Sequence, residues 1–78
     1  MMQPNLHPSK MQLLDHTLLS LGAPCKSISQ SVVNKVKRII SEDFMRNRGS
    51  DVESSIRIYA AIQPLVTEDA KGIVVLKS

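Results

Sequence analysis

Asp15, His16 and Thr17 place a carboxylate, an imidazole and a hydroxyl at consecutive positions, the raw material of general acid–base chemistry. Consecutive residues of a helix project about 100° apart, so three such groups diverge instead of converging on one proton. The spacing reads as a polar strip on the outside of a helix. Cys25 is the single thiol of the chain. It stands shortly before a predicted helix start, with Lys26 beside it, and both features favour a thiolate. The competing reading makes it a small buried residue in a tight turn. His7, His16 and Cys25 follow one another at intervals of nine residues, whereas structural zinc sites draw on closely spaced ligand pairs. No phosphate loop, dinucleotide fingerprint or HExxH motif occurs, and the three glycines are isolated. Neither an enzyme nor a small-molecule substrate is indicated, and no metal or other cofactor is expected.

Two other sets of residues suggest binding. Lys35, Lys37, Arg38, Arg46 and Arg48 bring five positive charges to one predicted helix, against Glu42 and Asp43. A basic helix face can track a phosphate backbone. Ser29, Gln30 and Asn34, together with Lys37, are candidates to reach base edges if this helix enters a groove after a short turn at 22–26. The bland reading of the same charges is a solvated face, with Arg38 and Glu42 paired four apart. The second set is an apolar surplus. Leu13, Leu19, Ile58, Leu65 and the run Ile73, Val74, Val75 and Leu76 lie outside the main helical stripes, so three short helices struggle to cover them. Exposed, they would make an association patch. The competing reading packs the tail against the flank of the first helix within one chain.

Three helices must position these residues. The first opens at Ser9, a favourable N-cap, and stops at Gly22, with Met11, Leu14, Leu18 and Leu21 as its stripe. Gly22-Ala23-Pro24 breaks the chain. Ser27 and Gln30 match a capping box for a second helix over about 28–47, stopped by Gly49. Its apolar stripe is Val32, Val33, Val36, Ile39, Ile40 and Phe44. Ser50 and Glu53 form another capping box, with Asp51 adding favourable charge in the first turn of a third helix over about 51–63. Val52, Ile56, Tyr59 and Ile62 are its expected stripe, and Pro64 ends it. Thr67-Glu68-Asp69 resembles a helix start cut short by Gly72. The 73–76 run is open between a short strand and a helical extension. As a lone strand it would need a partner, from another copy or another protein.

The expected fold is therefore all-α or nearly so: a three-helix domain over 9–78, preceded by a flexible leader at 1–8 that carries Pro4 and Pro8. Seventy-eight residues make one domain at most, and so short a chain has a marginal core. One cysteine rules out an intrachain disulfide. Self-association then becomes the expected stabiliser. Net charge is +3, mildly basic. Aromatic content of 3% is too low for a base-stacking platform. No apolar run approaches the ~20 residues of a membrane span, and no secretory h-region is present, so a cytoplasmic location without membrane contact is expected. The leading functional expectation is a small regulatory or adaptor protein binding itself or another protein, with homodimerisation favoured. The alternative is a small dimeric DNA-binding regulator that uses the basic helix face.

Overall fold

A computed structural model describes residues 10–46 and 51–77. Three helices, α1 (Met11–Leu21), α2 (Gln30–Arg46) and α3 (Asp51–Ile62), are followed by a 3₁₀ turn at Gln63–Leu65 and two short strands, β1 (Val66–Glu68) and β2 (Val74–Leu76). The mostly helical class matches the sequence expectation. The tail resolves as a strand, but its partner is β1 of the same chain, paired antiparallel with Val66 opposite Leu76 and Glu68 opposite Val74. No second copy is needed to satisfy it. The reading of Thr67-Glu68-Asp69 as a helix start is corrected. The Asp69 carboxylate accepts instead from the Lys71 and Ile73 N–H groups at 2.8 and 3.0 Å and organises the hairpin turn. Gly72, at φ +81, supplies the left-handed residue there.

Gly22 ends α1 as expected. Its φ of +125 suits glycine, and a Cβ there would meet the Lys26 side chain at 2.9 Å. The Ser27–Gln30 capping box expected for α2 does not form, and Ser29 caps the helix instead, its Oγ accepting from the Val32 N–H at 3.4 Å. The helix begins at Gln30, and the Ser29 carbonyl accepts from Val32 and Val33 at 3.1 and 3.2 Å. Ser27 is diverted. Its carbonyl accepts from the Val74 N–H, while the Ser29 N–H donates to the Val74 carbonyl, both at 2.9 Å. These two bonds form a parallel bridge between Ile28 and Val74. β2 is thus paired on both sides, with β1 and with the segment entering α2. Ser9, Asn47, Gly49 and Ser50, invoked as caps and stops, and the 1–8 leader lie outside the described residues.

The core comprises Leu13, Leu14, Val32, Val36, Ile40, Ile58, Ile62 and Val74, all at most 4% exposed. Leu18, Leu21, Ile28, Val33, Ile39, Val66 and Leu76 pack around it. On α2 the expected stripe holds through Val32, Val36 and Ile40, although Phe44 emerges at 45% exposure under the Lys10 ammonium, 4.8 Å from the ring centre. On α1 the buried face is rotated from the expected one. Leu13 and Thr17 are inside and Met11 is outside. The Thr17 hydroxyl is tolerated because it donates to the Leu13 carbonyl at 2.8 Å.

The stripe expected on α3 is corrected. Ser54, Ile58 and Ile62 face the core, while Val52 and Ile56 are 71% and 66% exposed. A second apolar row therefore lies on the surface. Ser54 fits inside because it is small and because its Oγ accepts from Arg57 Nη2 at 3.2 Å. The same guanidinium grips Asp43 of α2 in a forked pair, Nε to Oδ1 at 2.8 Å and Nη2 to Oδ2 at 3.1 Å. That hydrogen bonding raises the Arg57 pKa above its ordinary value, helped by the charges of Asp43 and Glu53 and opposed by desolvation. For a cation whose pKa is raised on folding, the stabilisation is complete below the unfolded value. It fades only as pH rises through the folded one.

Ile62→Ala should cost about 2–5 kcal/mol in urea denaturation, as a buried truncation does. Ile56→Ala should fall within about 0.5 kcal/mol of the parent. If α3 were turned to bury its other row, the order would invert. Arg57→Gln should lower the urea midpoint by the same amount at any pH between about 6 and 9, because arginine stays charged throughout that range. A loss confined to one end would assign the effect to another group.

Candidate interaction surfaces

α1 and α3 run side by side in the same direction. Gln12, Leu13 and His16 share a cleft of about 300 Å3 with Val52, Ser55 and Ile56. Further along, Ser20 and Leu21 share another with Tyr59 and Gln63. α2 is antiparallel to both, since its start and the end of α3 both reach the hairpin. Val52, Ile56 and Tyr59 border these clefts from α3 and are between 37% and 71% exposed, and Leu19 is exposed on α1 but lines neither cleft. Among the described residues no Lys, Arg, Asp or Glu lines the cleft between Val52, Ile56 and α1.

Of the apolar residues singled out from sequence as a contact surface, only Leu19 and Leu65 are exposed, at 56% and 39%. Leu13, Ile58 and Val74 are core residues, a correction to the idea that helices this short leave them uncovered. Ile73, Val75 and Leu76 are half-buried in the hairpin. Leu19 and Leu65 also belong to different surfaces, because Leu65 lines a groove with Lys35, Pro64, Leu76 and Lys77. Val52, Ile56 and Tyr59 were missed as surface residues. α3 carries two apolar rows, and periodicity alone does not rank them.

The basic residues do not form one face. Lys35 and Lys37 are two positions apart and project about 160° from each other around α2. Lys35, Glu42 and Arg46 fall on one side and Lys37 with Gln30 and Asn34 on another, with Arg38 between them. Arg38 and Arg46 are exposed, while Lys35, Lys37 and Asn34 are half-buried. Ser29 is the helix cap, its main chain committed to Val74, Val32 and Val33. Gln30 Nε2 donates to Asn34 Oδ1 at 3.0 Å, so these two amides are partly engaged with each other. Arg48 lies outside the described residues.

Cys25 is exposed, so the buried-turn reading of it is corrected. Asp15 and His16 are exposed on α1. Among the described residues no three His, Cys, Asp or Glu side chains are grouped to hold a metal ion, and no helix is long and apolar enough to cross a membrane. Among protein-family models, curated proteins and solved structures, none matches this chain.

Proposed function

We propose that this chain is a small regulatory or adaptor module that acts by protein–protein contact and pairs with a second copy of itself through the α1–α3 face. The observation that carries this reading is the exposed row Val52, Ile56 and Tyr59 along one side of α3, bordering the clefts it shares with α1, with Leu19 exposed on α1 itself. Large apolar side chains gathered in this way gain more by association than the same residues scattered singly. A two-fold contact must tolerate meeting itself. Among the described residues the cleft at Val52 and Ile56 is lined by no Lys, Arg, Asp or Glu, which limits like-charge repulsion there. The chain carries a net positive charge, so a face with uncharged lining is the favourable place for two copies to meet. Ser55 and His16 border the apolar row and supply polar groups of the kind found at interface rims.

The duplex-DNA alternative has less support. Gln30, Asn34 and Lys37 share one side of α2, but Gln30 and Asn34 bond each other, Ser29 is the helix cap, and Lys35 and Arg46 project to the other side, away from a phosphate-tracking row. A phosphate-tracking role for Arg38 and Lys37 is still measurable.

Light scattering on the size-separated protein, at about 10–100 μM, should give twice the chain mass. Ile56→Asp with Leu19→Asp should return it to the monomer mass with the helical circular dichroism intact. Twice the chain mass across this range requires a Kd below about 10 μM, an association stronger than about −7 kcal/mol. A parent that stays monomeric throughout removes the homodimer. For the alternative, duplex binding would weaken steeply with salt and vanish in Lys37→Glu with Arg38→Glu. Binding untouched by that double reversal would eliminate the basic-helix mechanism.

A further inference from the structure

The cations of this chain divide into those already matched by a neighbour and those that are not. Arg57 holds Asp43, and Lys26 pairs with Glu68. Lys35 and Lys77 have no ion-pair partner among the described residues, and they line the same groove. The remaining lining among the described residues is Pro64, Leu65 and Leu76, none of them a carboxylate. The volume is about 370 Å3, room for a few side chains of a bound segment. The groove joins features that the sequence separates widely: a lysine of α2, the 3₁₀ turn after α3, and the end of β2.

The strand adds a further element. Along β2, main-chain groups point alternately to the two sides. Lys77 donates its N–H to Leu65, on the β1 side, whereas Val74 exchanges both its bonds with Ser27 and Ser29 on the other side. Leu76, two residues beyond Val74, directs its main chain the same way as Val74. There the Ser27–Ser29 segment has already turned into α2. A short length of β2 edge thus faces the side on which Lys35 stands.

We infer that this groove is a second binding site, for an extended acidic–apolar peptide segment of a partner protein. Apolar side chains of the segment would sit on Pro64, Leu65 and Leu76, and its carboxylates would meet the Lys35 and Lys77 ammonium groups. Charge complementarity selects the occupant: two cations with no acid among the described residues of their groove, beside an apolar floor, favour a ligand bearing both chemistries. Two ammonium groups on separate elements favour a peptide carrying more than one carboxylate over a free acyl chain, which carries one. The site is distinct from the α1–α3 face, so loss of self-association leaves it standing.

The test uses two fluorescein-labelled nonapeptides on the full chain. One has aspartate next to each leucine, and the other has aspartate two residues away. Fluorescence anisotropy at about 50 mM salt, where charge contacts are least screened, should show saturable binding of at least one of them. Lys35→Glu with Lys77→Glu should weaken it at least tenfold, and so should replacing the peptide aspartates by asparagine. Both substitutions are at solvent-accessible positions, and unchanged circular dichroism confirms the fold. Amide shift mapping should place the contact at Lys35, Leu65, Leu76 and Lys77. The proposal is overturned if neither peptide binds at about 1 mM, or if the charge-reversed variant binds equally. It is also overturned if the shifts fall on Val52 and Ile56, or if only dodecanoate or duplex DNA occupies the groove.

Discussion

The main-chain clasp between Val74 and the Ser27–Ser29 segment is the contact on which the rest of the molecule depends. Two hydrogen bonds of 2.9 Å join the last strand to the entrance of α2. A two-stranded hairpin is marginal by itself in water. Here its inner strand gains a third neighbour at Ile28, and the Val74 side chain is 4% exposed within the core. The hairpin gains burial, and the helices gain an apolar cover over the end where α2 starts and α3 finishes. The clasp also sets where α2 begins, since a serine whose carbonyl is bound to Val74 is unavailable to cap the helix in the expected way.

Closing that end of the bundle leaves the other surfaces unequal. A domain of this size cannot bury all its apolar side chains. The hairpin covers the end of the bundle, and Ile58 and Ile62 of α3 turn inward to complete the core. The second row of α3 then falls on the outside next to α1, producing the Val52, Ile56 and Tyr59 surface. The surface is a consequence of the packing choice at Ser54. Its small, hydrogen-bonded side chain occupies a helix-contact position that a larger residue would overfill.

Charge is distributed by the same logic. Asp43 and Arg57 link α2 to α3 beside Ser54, a forked pair whose geometry fixes the rotation of one helix against the other. Lys26 and Glu68 link the turn after α1 to the hairpin with both partners about half exposed, where an ion pair contributes little stability. Lys35 and Lys77 remain on the opposite edge of the hairpin, beside Leu65 and Leu76. Sequence reading assigned the lysine and the leucines to competing functions. Tertiary packing makes them walls of one groove.

The number of helices, the stop at Gly22 and the inward stripe of α2 were legible in the sequence. Each is set by short-range physics: a 3.6-residue period, a glycine with positive φ, and an apolar row at Val32, Val36 and Ile40 with few competitors on its own helix. The inward row of α3 was not legible, because Val52–Ile56–Tyr59 and Ser54–Ile58–Ile62 both satisfy helical spacing. Only the contact with α2, through Arg57, Asp43 and Ser54, decides between them. The strand partner of the tail was hidden for the same reason. Val66–Glu68 is too short to announce itself, and Ser27 looks like a cap until Val74 arrives from the far end of the chain. Local periodicity and capping chose the elements. Long-range hydrogen bonds and packing chose which faces they bury, and therefore which residues are left to bind.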